Sequence, residues 1–384
     1  MKVIQQIVKH PWVKTLASVK ITVVCLFLLF ILTFWGTVAQ VEQGLYAAQE
    51  RFFASLIFLA KGFIPFPGAQ LVLWVLAVNL LCVTMTRFVH YFKVRYAGIL
   101  IIHFGLLLYL LSAFVIFHVA VESNIHLKEK AGTNVSSSYM LWELASWQQG
   151  APDRRTVHAY DVSASTVGRH LKYSHGNFTV TTQQFYPNAQ AYSASSDHQS
   201  KSAPLNASGI ALLQPKEAVL EREKNIAGGL FEVHVPDGST VSLLLYGADT
   251  RPTPVKIKGK NYYFILQHKK YPLPLTLQLL DFRAQFHPGT ETAKSYESTV
   301  KITHDGASRE VVISMNNPLT YKDYTFFQAS YALDAFGNEY STFAVVKNAG
   351  RFLPYVSSLM TFLGLGIHFL MAAFGVRNKK DKRT

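Results

Sequence analysis

The sequence predicts a multi-pass α-helical membrane protein of four spans that carries one large all-β extracytoplasmic domain. Three observations predict it. Four long stretches lack any Asp, Glu, Lys or Arg. The positive charge gathers at the ends of alternate stretches. The long remainder reads as short strands joined by turn residues.

The charge-free stretches lie between Lys20 and Glu42, Lys61 and Arg87, Arg95 and Glu122, and Arg351 and Arg377, and hold 21, 25, 26 and 25 residues. A helix that crosses a bilayer needs about 20 apolar residues. The expected spans are therefore about 18–39, 69–87, 96–117 and 351–376. The first could serve instead as a cleaved leader, with Lys2, Lys9, Lys14 and Lys20 as its charged end. Its apolar run from Ile21 to Ala39 outlasts the usual 7–15 residues of a leader and ends without a small-residue cleavage site, so it reads as an uncleaved anchor.

Charge sets the expected orientation. Residues 122–351 hold 23 Lys and Arg against 20 Asp and Glu, so 11 of the 14 net positive charges lie elsewhere. They precede span 1, join spans 2 and 3 (Arg87, Lys93, Arg95) and follow span 4 in a basic tail, 377–384. Positive loops stay cytoplasmic. Both termini are thus expected in the cytoplasm of a cell (inner) membrane protein, with residues 120–350 outside. The lipid bilayer accounts for the high pI, and no nucleic-acid partner is called for.

Residues 1–119 form the N-terminal membrane region. Within it, residues 44–60 are too interrupted by Arg51 to span, and are expected as an interfacial helix ended by the turn Pro65-Phe66-Pro67-Gly68. In the 120–350 domain, 178–185 and 275–286 approach period-two alternation. Asp237-Gly238 and Asp305-Gly306 sit between β-prone flanks, a strong hairpin signal. No long amphipathic helix is visible there, and residues 186–209 read as a surface loop. Both cysteines, Cys25 and Cys82, fall in spans as small apolar filler, so the outer domain carries no disulfide or thiolate metal site.

Of 14 histidines, only His103 and His368 sit well inside spans. Each lies eight or nine residues, about 12–14 Å, from the basic residue that ends its helix (Arg95, Arg377). An ionisable residue inside a membrane is a functional candidate. Two at equal depth on facing helices can supply both axial imidazoles of a haem. Ser357, Thr361, Gly364 and His368 form one stripe, and Gly364 leaves room beside it for a flat macrocycle. The same stripe equally suits a small-residue packing seam, with the imidazole hydrogen-bonded across it or moving protons. No nucleophile elbow, P-loop or carboxylate pair is present, so nothing marks the chain as an enzyme by itself.

Several blocks carry a resemblance that covers nearly the whole chain: SVKITVVCLFLLFILTFWGTVAQ (18–40), RYAGILIIHFGLLLYLLSAF (95–114), LLDFRAQFHPGTETAKSYESTVKI (279–302), MNNPLTYKDYTFFQASY (315–331) and GRFLPYVSSLMTFLGLGIHFL (350–370). In these the chain resembles the ResB family, also called CcsB, of System II cytochrome c biogenesis. The resemblance implies a subunit that works with a CcsA/ResC-like membrane partner. Such pairs carry haem b across the membrane and present it for covalent attachment to apocytochrome c. It implies haem ligation by His103, with the second ligand either His368 or a histidine of the partner. The chain has no Trp-rich haem-handling motif, so it is expected to be one part of a haem-attachment complex. Two other classes stay open: a b-type cytochrome in membrane electron transfer, and a non-catalytic scaffold that docks apocytochrome.

Overall fold

A computed structural model of the chain describes residues 6, 8–90, 96–150, 156–193, 206–290 and 293–373. The basic tail and the end of the fourth expected span lie outside these residues. The chain divides into two compact units, 1–121 with 347–384, and 122–346.

The first unit is helical. Its helices are α1 (Pro11–Leu16), α2 (Val19–Gln43), α3 (Leu45–Ala48), α4 (Ala69–His90), α5 (Ala97–Val119) and α6 (Leu353–Ala373). Of these α2, α4, α5 and α6 are long and apolar enough to cross a membrane, at the four places the charge gaps predict. Most of their surface is unburied within the chain, with Phe27, Phe30, Phe34, Leu359 and Phe362 all exposed. Such helices need an apolar solvent, and a bilayer is one. Breaks between them are set by backbone chemistry. Pro11 opens α1, where its missing N–H costs nothing. Ser18 caps α2 by accepting from the Lys20 N–H at 3.3 Å. The buried Asn79 of α4 then ties the α1–α2 corner down, donating to Leu16 O (2.5 Å) and Ser18 O (3.0 Å) and accepting from Thr22 Oγ1 (2.7 Å).

The expected interfacial helix over 44–60 is only half right. After α3 a π-helical turn runs from Gln49 to Ala54 and stops. Residues 57–60 form strand β1 (Ile57–Ala60), paired with β2 (Ile64–Pro67), so the Pro-Phe-Pro-Gly turn is itself mostly strand. The reason is aromatic packing. Period-two alternation places Phe58 and Phe66 side by side on one face, and both meet Trp35 of α2 with ring centroids 5.8 and 5.7 Å away. Phe52 closes the cluster, 4.9 Å from Phe58. A continued helix would have sent Phe58 elsewhere.

The second unit is β. Its strands in chain order are β3 (Val121–Lys128), β4 (Gly132–Gln148), β5 (His158–Val162), β6 (His170–Tyr173), β7 (Phe178–Tyr186), β8 (Ala189–Ser193), β9 (Ile210–Pro215), β10 (Gly228–His234), β11 (Thr240–Tyr246) and β12 (Thr253–Ile257). They continue with β13 (Lys260–Phe286), β14 (Ala293–His304), β15 (Ala307–Ser314), β16 (Leu319–Tyr321), β17 (Tyr324–Leu333) and β18 (Glu339–Lys347). The only helical turns among its described residues are two short 3-10 turns. The alternating segments 178–185 and 275–286 are the strands β7 and the end of β13. Both Asp-Gly pairs make hairpins, β10–β11 and β14–β15. At the second, Asp305 and Gly306 both have positive φ (48° and 81°), as a two-residue type I′ turn requires. The expected loop over 186–209 holds strand β8, which pairs with β9; residues 194–205 lie outside the described ones.

One strand organises the domain. The 27 residues of β13 are too many for one straight strand of ordinary length, and two register shifts against β4 bend it, between His268 and Lys270 and between Pro272 and Leu277. Its first part gives Tyr262, Phe264 and Leu266 to a core shared with the four-stranded sheet β11-β10-β7-β6. Its second part gives Leu275, Leu277 and Leu279 to a core wrapped by β3 and β14–β18. Each buried Leu or Phe contributes about 1.5–3 kcal/mol.

Beside the first bend lies Glu143, only 6% exposed, accepting from Gln267 Nε2 at 2.8 Å. Burial, reinforced by the nearby Asp161 charge, raises its carboxyl above the usual range, although the Gln267 hydrogen bond opposes this. A raised folded pKa stabilises the fold at low pH, and that contribution fades as pH rises through the folded value. Thermal unfolding of the detergent-solubilised protein should therefore show a stability loss, as pH rises above the ordinary carboxylate range, that shrinks in Glu143→Gln. Identical pH profiles for the two proteins would contradict this.

Candidate functional site

The functional candidates of the helical unit are arranged by one seam. Helices α5 and α6 pack so closely that glycine is required on both. A Cβ added to Gly98 would lie 2.6 Å from the backbone N of His368 and 2.8 Å from Gly364 O. One added to Gly364 would lie 2.8 Å from the backbone N of Ile102. Farther along, one at Gly105 would collide with Thr361 Oγ1. Thr361 and Ser357 turn their hydroxyl protons back to their own helix, to Ser357 O (2.8 Å) and Pro354 O (2.9 Å), so the seam buries no unpaired donor. The Ser357–Thr361–Gly364–His368 stripe is thus a packing seam. The space beside Gly364 is filled by α5, and no macrocycle fits there.

The seam also fixes where the two histidines stand. His368 has its backbone level with Gly98. His103 is five residues farther along α5, about 7.5 Å along the axis and about 140° around it. The equal depth inferred from the terminal charges does not follow, because the helices are set by their glycines rather than by their ends. The structure brings His103 and His368 onto adjacent helices but not onto one face.

His103 faces α4. Its Nδ1 is 3.2 Å from the Oγ1 of Thr84, a residue 2% exposed. The same Oγ1 is 2.7 Å from the carbonyl oxygen of Leu80. A carbonyl oxygen can only accept, and a hydroxyl has one proton to give. Thr84 therefore donates to Leu80 O, a common back-bond of helical threonine, and accepts from His103. The Nδ1 of His103 must carry the proton, which leaves the lone pair of Nε2 free. A neutral imidazole held through Nδ1–H by a hydrogen-bond acceptor is the usual state of a metal-binding histidine. The sequence offered one signal for Thr84: it is among the few polar residues in an otherwise apolar span.

In the β unit the histidines pair across strands rather than along the chain. The rings of His158 and His175 stack 4.1 Å apart at 3°. Burial, with the His158 charge beside it, pushes His175 down to about 4. The hydroxyl of Thr181 bridges His170 Nδ1 (2.8 Å) and His234 Nε2 (3.0 Å). His118, at the end of α5, packs on Phe114 at 4.4 Å. Among the described residues no group of three His, Cys, Asp or Glu is placed to hold a metal ion. Cys25 and Cys82 are buried and unpaired in their helices.

Comparison with known proteins bears on the β unit. Residues 235–350 match the ResB-like family. Over that segment, less than a third of its length, the chain is similar to the ResB-like family. The match begins just after β10, contains the second core except for Ile125 and Leu127 of β3, and stops just before α6. A curated relative, Protein NrfI of Wolinella succinogenes, is 32% identical over 99 residues, which is 25% of this chain and 11% of that protein. The chain therefore spans only a small part of the relative it matches. The family segment excludes His103 and Thr84, so the case for them rests on their geometry and on four helices fit for a membrane.

The seam gives a direct prediction. Gly98→Leu should lower the thermal stability of the detergent-solubilised protein, by about 1–3 kcal/mol or more, because backbone on α6 cannot move aside as a side chain can. Gly366→Ala, where nothing lies within 4 Å, should have almost no effect. Equal melting curves for Gly98→Leu and wild type would contradict the seam.

Proposed function

We propose that the chain is a membrane subunit of cytochrome c biogenesis, and that His103 takes the iron of haem b through Nε2 within the membrane. The observation that carries the reading is the Thr84 hydrogen bond, which holds His103 in the tautomer that binds metal. The ResB-like match supports the pathway. The loop charges support the orientation, with both termini cytoplasmic and the β unit outside.

The residues present fit such a group. Nε2 is a strong, neutral donor, and a ligand of this kind suits a membrane because it carries no charge that must be desolvated. When bound, haem supplies the iron coordination and the vinyl groups that react with apocytochrome thiols. This chain's part is to hold and orient. His103 fixes the iron, and Thr84 fixes His103. Among the described residues no second imidazole shares that face, so a CcsA/ResC-like partner would supply the other ligand. His368 is the alternative within the chain.

Absorption spectra of the purified protein, alone and with its partner, test the reading. His103→Gly should lose most of the haem Soret band, and added imidazole should restore much of it. Thr84→Val should weaken haem retention by about 10–100-fold while Thr84→Ser keeps it. His368→Ala should retain haem. Wild-type spectra from His103→Gly without imidazole would overturn the assignment, and loss of haem from His368→Ala would move the second ligand into this chain.

A further inference from the structure

Helices α4 and α5 enclose a cavity one turn from His103, on the side of the α4–α5 connection. It has a volume of about 290 Å³ and is lined by Arg87, Tyr96, Ile99 and Leu100. Ile99 and Leu100 precede His103 by four and three residues, and Arg87 follows Thr84 by three. The cavity thus continues the Thr84–His103 pair inward along both helices. Among the described lining residues Tyr96, Ile99 and Leu100 are aromatic or apolar, and Arg87 is the charged one.

That charge has no carboxylate to meet on the spans. The chain contains no Asp or Glu before Glu42, none between Glu50 and Glu122, and none between Glu339 and Asp381. Helices α4, α5 and α6 are therefore free of carboxylates along their whole length. The Arg87 side chain is exposed where it borders the cavity, so its guanidinium is open to a ligand. It offers a planar pair of N–H donors that matches a carboxylate in bidentate fashion.

We infer that the Arg87 cavity binds the propionate carboxylates of the haem whose iron His103 takes. This rests on the haem reading above and adds a direction to it. Haem b is amphiphilic, with its two propionates on one edge. Seating that edge against Arg87 points it toward the α4–α5 connection. The vinyl-bearing part of the ring then extends along α5 toward the other end of the helix. Tyr96, Ile99 and Leu100 provide the apolar contact for the ring edge between the iron and the carboxylates. The whole macrocycle is larger than the cavity, so only the propionate edge lies within it. The same cavity chemistry would also accept the phosphate of an anionic lipid, and the experiment separates the two.

The test is a titration of the full-length protein in nanodiscs of neutral lipid, with ferric haem and with its dimethyl ester, read by the Soret band. The ester keeps the iron and vinyl groups and loses both carboxylates. Wild type should bind haem at least tenfold more tightly than the ester, since the ester loses the charge-assisted hydrogen bonds that a guanidinium makes to carboxylates. Arg87→Gln should bring the two affinities together without changing the bound spectrum, because the axial ligand is intact. Arg87→Lys, which keeps the charge and the insertion signal but not the fork, should fall between. Equal binding of haem and ester by wild type, or an unchanged preference in Arg87→Gln, would overturn the inference. So would a preference that anionic lipid in the nanodisc abolishes in wild type and Arg87→Gln alike. Failure of the underlying reading looks different. If His103→Gly leaves the spectrum unchanged while Arg87→Gln erases the preference, the iron assignment fails and the carboxylate site stands.

Discussion

A hydroxyl group has one proton, and at Thr84 the carbonyl of Leu80 takes it. Everything assigned to His103 depends on that constraint. The α4–α5 contact puts the imidazole within hydrogen-bond distance of an oxygen that can only accept. The tautomer follows, and with it the free lone pair on Nε2. The bond is short-range, and its acceptor Thr84 is buried while His103 is half-buried. On a helix apolar enough to cross a membrane the result is economical: the polar Nδ1–H is satisfied within the protein, and one nitrogen lone pair remains free.

The glycine seam on the other side of α5 complements this. Gly98 and Gly105 bring α6 against one face of α5, and His103 projects from another. The seam therefore holds α5 in place without occupying the histidine's side. It also explains why His368 shares the helix pair but not the site. Its backbone is part of the seam, level with Gly98. Packing and the proposed ligation use different faces of the same 23-residue helix.

Much of this architecture was legible in the sequence because its causes are local. Charge cannot lie in a hydrocarbon layer without heavy cost, so four charge-free runs mark four helices. Asp305-Gly306 marks a hairpin because only a few residue types accept two consecutive positive φ values. What escaped depends on distant neighbours. Residues 57–60 became a strand because Phe58 found Trp35 and Phe66. The His158–His175 and His170–Thr181–His234 groups join residues from different strands, so no spacing along the chain discloses them. Thr84 and His103 are 19 residues apart on separate helices, and only the packing of α4 on α5 unites them. The depth comparison of His103 with His368 failed for a related reason. It measured each helix from its own terminal charge, whereas the offset is set where the glycines meet.

The most direct measurement of the central claim is nitrogen NMR of the haem-free protein with labelled histidine, the His103 signals assigned by comparison with His103→Gly. The account predicts a neutral imidazole protonated at Nδ1, with the Nε2 resonance of an unprotonated nitrogen, and a mixed population of tautomers once Thr84 is replaced by Val. A wild-type His103 protonated at Nε2 would contradict it, because the lone pair assigned to iron would then be occupied.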